Sequence, residues 1–316
     1  SQMGTIKLNP DNLKKKIKGL RDKSDEAGRA RGSIDTESER LGDPSPSKAV
    51  DTFCNNSATH IDNVRTCADQ IESEMNRIIE LNQSGVATMN GGTITVENVP
   101  DTVLKGGKNE FDTWSQGALD AKDLQTITGG GTPKSGRSYD EVIASMSTYK
   151  DNPSYSVGLI DTIGPENLTQ LPLDLDKALG LSSRHDANTA IADQRTLELI
   201  NILGEVLANA STKWDENKSQ EIANKIVGSV NGYGHYGRIT VLNAILDGND
   251  ADHDHINDLK FDKTFLVDMA KGLEKIDPNE VKKYYGYLNS NNTNLKSLGR
   301  DYVGKYLTNQ SRDPLS

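Results

Sequence analysis

The sequence predicts a mainly α-helical protein: a long antiparallel helical hairpin, then a multi-helix domain, with at most one short β element near 93–97. Three observations carry this. Apolar residues recur at spacings of three and four over long stretches, which is the helical period. Helix-start and helix-stop residues punctuate the chain. Only Thr93-Ile94-Thr95-Val96-Glu97 alternates as a half-buried strand does.

The hairpin is expected over 1–83. Asn9-Pro10-Asp11 is a helix start, with proline in the first turn and an acid beside it. Leu13, Ile17 and Leu20 follow on one face, and the period runs on through Ser24, Ala27, Arg31, Ile34, Ser38 and Leu41. The small, charged stretch 27–32 weakens it, and Gly42-Asp43-Pro44-Ser45-Pro46 ends it in a turn. The second helix carries the clearest period of the chain: Val50, Phe53, Ser57, Ile61, Val64, Ala68, Ile71, Met75 and Ile78. This is an a/d seam with coiled-coil spacing. A lone hairpin buries only its mutual seam. Val50, Phe53, Ile61, Val64, Ile71, Met75 and Ile78 are therefore expected to form an interaction seam, taken up by a protein partner or by a second copy in a homodimer.

Residues 84–109 hold Ser84-Gly85, Asn90-Gly91-Gly92, Val99-Pro100 and Gly106-Gly107, and are expected as a linker with a possible short strand. A helical domain is expected over 110–316, interrupted by a flexible glycine-rich loop at 128–136. Its helices are expected near 110–127, at Tyr139–Tyr149, and from Pro153 to Ile163, where Gly164-Pro165-Glu166 stops the chain and restarts it. Further helices are expected at 187–210, 216–230, 237–247, 261–276, 281–288 and 295–308. The tail 311–316 reads as leading into a longer chain.

Composition narrows the function classes. A net charge of -10 and a pI near 5.1 leave no excess positive charge for nucleic acid, which needs clustered lysine and arginine. No apolar run reaches the ~18 residues of a membrane span, and the N-terminus lacks the apolar core of a secretory signal. Cys54 and Cys67 stand thirteen positions apart in one expected helix, about 20 Å at 1.5 Å per residue, so they are expected as free thiols in the seam. A bridge between them would refute that continuous helix.

The candidate chemistry is thin. Gly129-Gly130-Gly131-Thr132-Pro133-Lys134-Ser135 has proline where a phosphate loop needs glycine, and no apolar strand leads into it. Asp250, Asp252 and Asp254 alternate as the first ligands of a calcium loop do. His255 then stands in place of the turn glycine and Phe261 in place of the bidentate glutamate. No metal or other cofactor is therefore expected, with calcium at these three aspartates as the one exception. His60, His185, His235, His253 and His255 accompany no serine or cysteine nucleophile in a catalytic context. His235, within Gly232-Tyr233-Gly234-His235-Tyr236-Gly237, reads as part of a packed turn. Trp114 and Trp214 read as core or interface anchors. The chain is not expected to be an enzyme.

The first ninety residues resemble the helical-hairpin substrates of type VII (ESX) secretion, the W-x-G-like superfamily. The Leu8-Asn9-Pro10-Asp11-Asn12-Leu13 opening, the two long helices, the short turn and the heptad seam carry the likeness. The turn itself, Leu41-Gly42-Asp43-Pro44, has no Trp-x-Gly, and Trp114-Ser115-Gln116-Gly117 lies in another segment. Residues 138–316 are similar to an uncharacterised helical domain that follows such hairpins in actinobacterial secreted proteins. Asn152-Pro153-Ser154-Tyr155, Ile163-Gly164-Pro165-Glu166-Asn167-Leu168 and Leu203-Gly204-Glu205-Val206-Leu207 carry that likeness. The resemblance implies a secreted or cell-surface protein, exported without a signal peptide, that docks partners or scaffolds. The alternatives are a metal-dependent enzyme or calcium module at Asp250–Asp258, a surface or phage-type structural protein, and a cytoplasmic location.

Overall fold

The computed structural model describes residues 3–22, 61–180, 193–231, 237–247 and 259–276, without the side chains of 61–64 and 247. It is mainly α-helical, as the periodicity predicts, and it divides into two compact units at Lys122/Asp123. The division falls inside a helix, Lys108–Thr128.

The first unit opens with strand β1 (Met3–Leu8) and helix α1 (Pro10–Asp22). It continues with α2 (Ile61–Ser84), β2 (Thr88–Asn90), β3 (Thr93–Pro100), α3 (Asp101–Gly106) and α4 (Lys108–Thr128). The three strands form one antiparallel sheet in the order β1-β3-β2. The single β element expected at 93–97 is thus the central strand of a larger sheet, and 84–109 is sheet and helix. The Gly91-Gly92 pair, with φ of 60° and 80°, makes the two-residue turn that joins β2 to β3. On the β1 side the register shifts between Gly4 and Ile6, leaving one extra residue on β3. Asn98 takes φ 58° there, a left-handed position that asparagine tolerates better than most residues. Alternation sends Ile6 and Leu8 of β1 and Ile94 and Val96 of β3 to one face, where all four are buried.

Helix α1 buries Leu13, Ile17 and Leu20 and packs on α2. The buried line of α2 is Ala68, Ile71, Met75, Ile78 and Leu81, and the helix also meets β3. The seam of α2 is therefore core of its own unit. Cys67 is disulfide-bonded, which corrects the expectation of a free thiol there. Cys54, Val50, Phe53 and the expected hairpin turn lie outside the described residues.

In the second unit, α5 (Tyr139–Tyr149) and α6 (Pro153–Ile163) lead through a 3-10 turn (Pro165–Asn167) to α7 (Leu171–Leu179). Then come α8 (Gln194–Ser211), α9 (Glu216–Val230), α10 (Arg238–Asp247) and α11 (Lys263–Glu274). Helix α8 is the centre. Leu199, Ile200, Leu203, Val206, Leu207 and Ala210 are buried on it, and α5, α6, α7 and α10 all pack against it. Gly204 lets α10 approach, since a Cβ there would meet the Ile245 carbonyl oxygen at 2.6 Å. Gly272 does the same for α9 and α11, where a Cβ would lie 2.8 Å from Val227 Cγ2.

The punctuation in the sequence does its expected physical work. Ser138 and Glu141 form a reciprocal capping box at α5, and Asn152 caps α6 with Pro153 in its first turn. Asp193, Asp215 and Asp262 cap α8, α9 and α11. Gly180 closes α7 in the left-handed conformation.

Candidate interaction surface

With the apolar seam enclosed, the polar face of the first unit is what remains open. Arg21, in the last turn of α1, reaches across to α2. Its Nη2 donates to Asp69 Oδ1 at 2.7 Å and its Nη1 to Glu72 Oε2 at 2.8 Å. The bond from Arg21 holds the Glu72 carboxyl below its ordinary range, against a smaller opposing effect of desolvation. The paired acids raise Arg21 further above its already high value. One helix turn on, Arg77 donates to Gln116 on α4 at 3.0 Å, and Gln116 in turn donates to the buried Asp120 at 3.0 Å. These bonds tie α1, α2 and α4 along one side. Between them lies an open groove of about 320 Å³, lined by Asp69, Glu72, Ser73, Asn76, Arg77, Glu80 and Asp112. Four carboxylates face it, and all are already paired, Asp69 and Glu72 with Arg21, Glu80 with Arg77 and Asp112 with Lys108; the small negative excess favours cationic side chains over anions.

The second unit uses buried and half-buried polar groups as clamps. Asp123 is nearly buried. It accepts from Ser135 Oγ at 2.6 Å and from Arg137 Nε at 2.9 Å. Backbone bonds from Gly129, Gly130 and Gly131 to Gln125, Ile127 and Thr126 close the end of α4. The glycine-rich stretch expected as a flexible loop is thus a pinned turn. Asn209 Nδ2 donates to the Lys150 carbonyl at 2.9 Å, and the Asp262 amide donates to Ser211 Oγ at 2.8 Å. Arg238 bonds both Gln170 and the Ser229 carbonyl. Between α9 and α11 a groove of about 370 Å³ is lined by both helices, with Asn224, Asp268 and Lys271 among its polar groups.

The predicted site residues divide in three. Ile71, Met75 and Ile78 are each 3% exposed or less, so they cannot also face a partner in the folded unit. Their burial corrects the interaction reading for these positions. Ile61 and Val64 lie on α2 with side chains outside the described residues, as do Val50 and Phe53 entirely. Asp250, Asp252, Asp254 and all five histidines are likewise outside them. Among the described residues no group of three or more histidine, cysteine, aspartate or glutamate side chains could hold a metal, and no helix is long and apolar enough to cross a membrane. Trp114 is buried against Phe111, and Trp214 meets Phe265 edge-on at 5.3 Å, so both serve as internal anchors. The Arg21–Asp69–Glu72 contact escapes sequence reasoning, because its members stand 48 and 51 positions apart without any motif.

A family of unknown function, DUF6571, matches residues 3–316. No curated protein and no solved structure matches the chain.

Proposed function

The chain belongs to the DUF6571 family, whose function is unknown, and from its architecture we propose that it is a non-catalytic scaffolding and docking region of a secreted bacterial protein. The observation that carries the secreted location is the disulfide at Cys67. Structural disulfides persist in oxidising surroundings and are rare in the reducing cytosol of mesophiles. The scaffold role is supported by how internal polar groups are used: the buried Asp123 and Ser211 and the half-buried Asn209 and Arg238 all hold one segment to another. Export independent of a signal peptide follows from the hairpin resemblance and is part of the same proposal. Docking is assigned to polar surface, since the α2 seam is enclosed.

The test is genetic. The full gene is tagged in its native host, and the culture medium is compared with and without a functional type VII secretion ATPase. Loss of the protein from the medium in the ATPase mutant is the expected result. Undiminished secretion in that mutant would remove the type VII route, and retention in the cytosol of the wild type would remove secretion altogether.

A further inference from the structure

We propose that the first unit self-associates through the polar faces of α1 and α2, with the basic edge of α1 in one copy lying against the acidic groove of α2 in the other, and reciprocally. The proposal stands apart from the export route, because it concerns only the surface of the folded unit.

The starting point is an imbalance. Helix α1 carries Lys14, Lys15, Lys16 and Lys18 within five residues, in a chain whose net charge is -10. Lys14, Lys15 and Lys18 are exposed, and Lys18 lies four positions from Lys14 and three from Lys15. Like charges at these spacings are neighbours on a helix and repel. Among the described residues none of the four forms an ion pair, whereas Arg21 on the same helix forms two. Asp11 and Asp22 bound the basic strip at the two ends of α1.

The bridge from Arg21 fixes where this strip lies. Lys14 is seven positions before Arg21 and Lys18 three before, so both follow the line of α1 that Arg21 occupies. Arg21 reaches Asp69 and Glu72, which line the acidic groove. A basic edge and an acidic groove therefore run side by side on one face of one unit. Such a face is self-complementary: a two-fold rotation sets each strip on its opposite, which is the requirement for a closed dimer. Asp69 and Glu80 keep 69% and 56% of their side chains exposed, so they retain capacity for a second cation. The described residues of the first unit are close to charge balance, so self-repulsion there is small.

Each exposed ion pair contributes little, so the association is weak and salt-sensitive. The experiment uses the full chain and two charge-reversed variants. One carries Lys14→Glu with Lys18→Glu, and the other carries Asn76→Lys with Glu80→Lys, which leaves the Arg21 bridge intact. Circular dichroism checks that both keep the wild-type helix content. In multi-angle light scattering at low salt, the wild type is expected at twice the chain mass, falling to the chain mass at about 0.5 M salt, where screening is short-ranged. Each variant alone is expected at the chain mass. An equimolar mixture is expected to return to twice that mass, since both contacts are attractive again. A wild-type mass independent of salt would overturn the proposal. So would variants that still dimerise alone, or a mixture that stays monomeric. The salt titration of the wild type decides the matter even if a variant fails to fold.

Discussion

Asp161 shows how little a half-buried charge gains from one partner. One carboxylate oxygen lies 3.6 Å from Lys218 Nζ, while the other is buried with no hydrogen bond. Desolvation outweighs the attraction of Lys218 and raises the Asp161 pKa above its ordinary 3.8. A raised folded pKa means a stabilising contribution that is complete below 3.8 and lost as pH rises through the folded value. Asp161→Asn should therefore raise the urea midpoint at neutral pH, and the gain should shrink towards pH 3.8. Glu72 carries the opposite sign. Its pKa is lowered by Arg21, so its contribution is present above 4.5 and fades as pH falls through the lower folded value. Arg21→Ala should flatten that acid limb of the stability profile. Asp123 accepts from both Ser135 and Arg137, and Asp123→Ala removes both of these bonds. The expected loss is about 1–3 kcal/mol by chemical denaturation.

At the level of elements, packing rather than propensity sets the vulnerable points. Gly204→Ala should cost about 1–3 kcal/mol, because the new methyl meets a backbone oxygen of α10 that cannot swing away. Ile78→Ala on α2 should cost about 2–5 kcal/mol, since that side chain is fully enclosed. Urea unfolding of each variant measures both. The same elements show what a sequence can and cannot display. Helices α5, α6 and α9 are legible because Ser138, Pro153 and Asp215 mark their starts in local chemistry. Strand β1 is not, because its partner β3 lies some ninety positions away and only Ile6 and Leu8 mark its buried face. The glycines at 91 and 92 look like a linker until β2 and β3 pair across them. The α2 seam misleads for a different reason. A period of three and four reports that a face is buried, but the pattern is the same whether the cover is the chain's own α1 and β3 or another molecule.

For the whole molecule, the enclosed α2 seam leaves polar surface for the docking we propose, and the disulfide at Cys67 supports the proposed secreted location. The proposed location requires a chain that leaves the cytosol and folds where thiols oxidise. The most direct measurement takes the protein from the native host's medium and from its cells, traps thiols with an alkylating reagent before any reductant is added, and weighs the peptide containing Cys67. The account predicts protein in the medium whose Cys67 is alkylated only after reduction. Protein confined to the cells, with Cys67 alkylated at once, would contradict it.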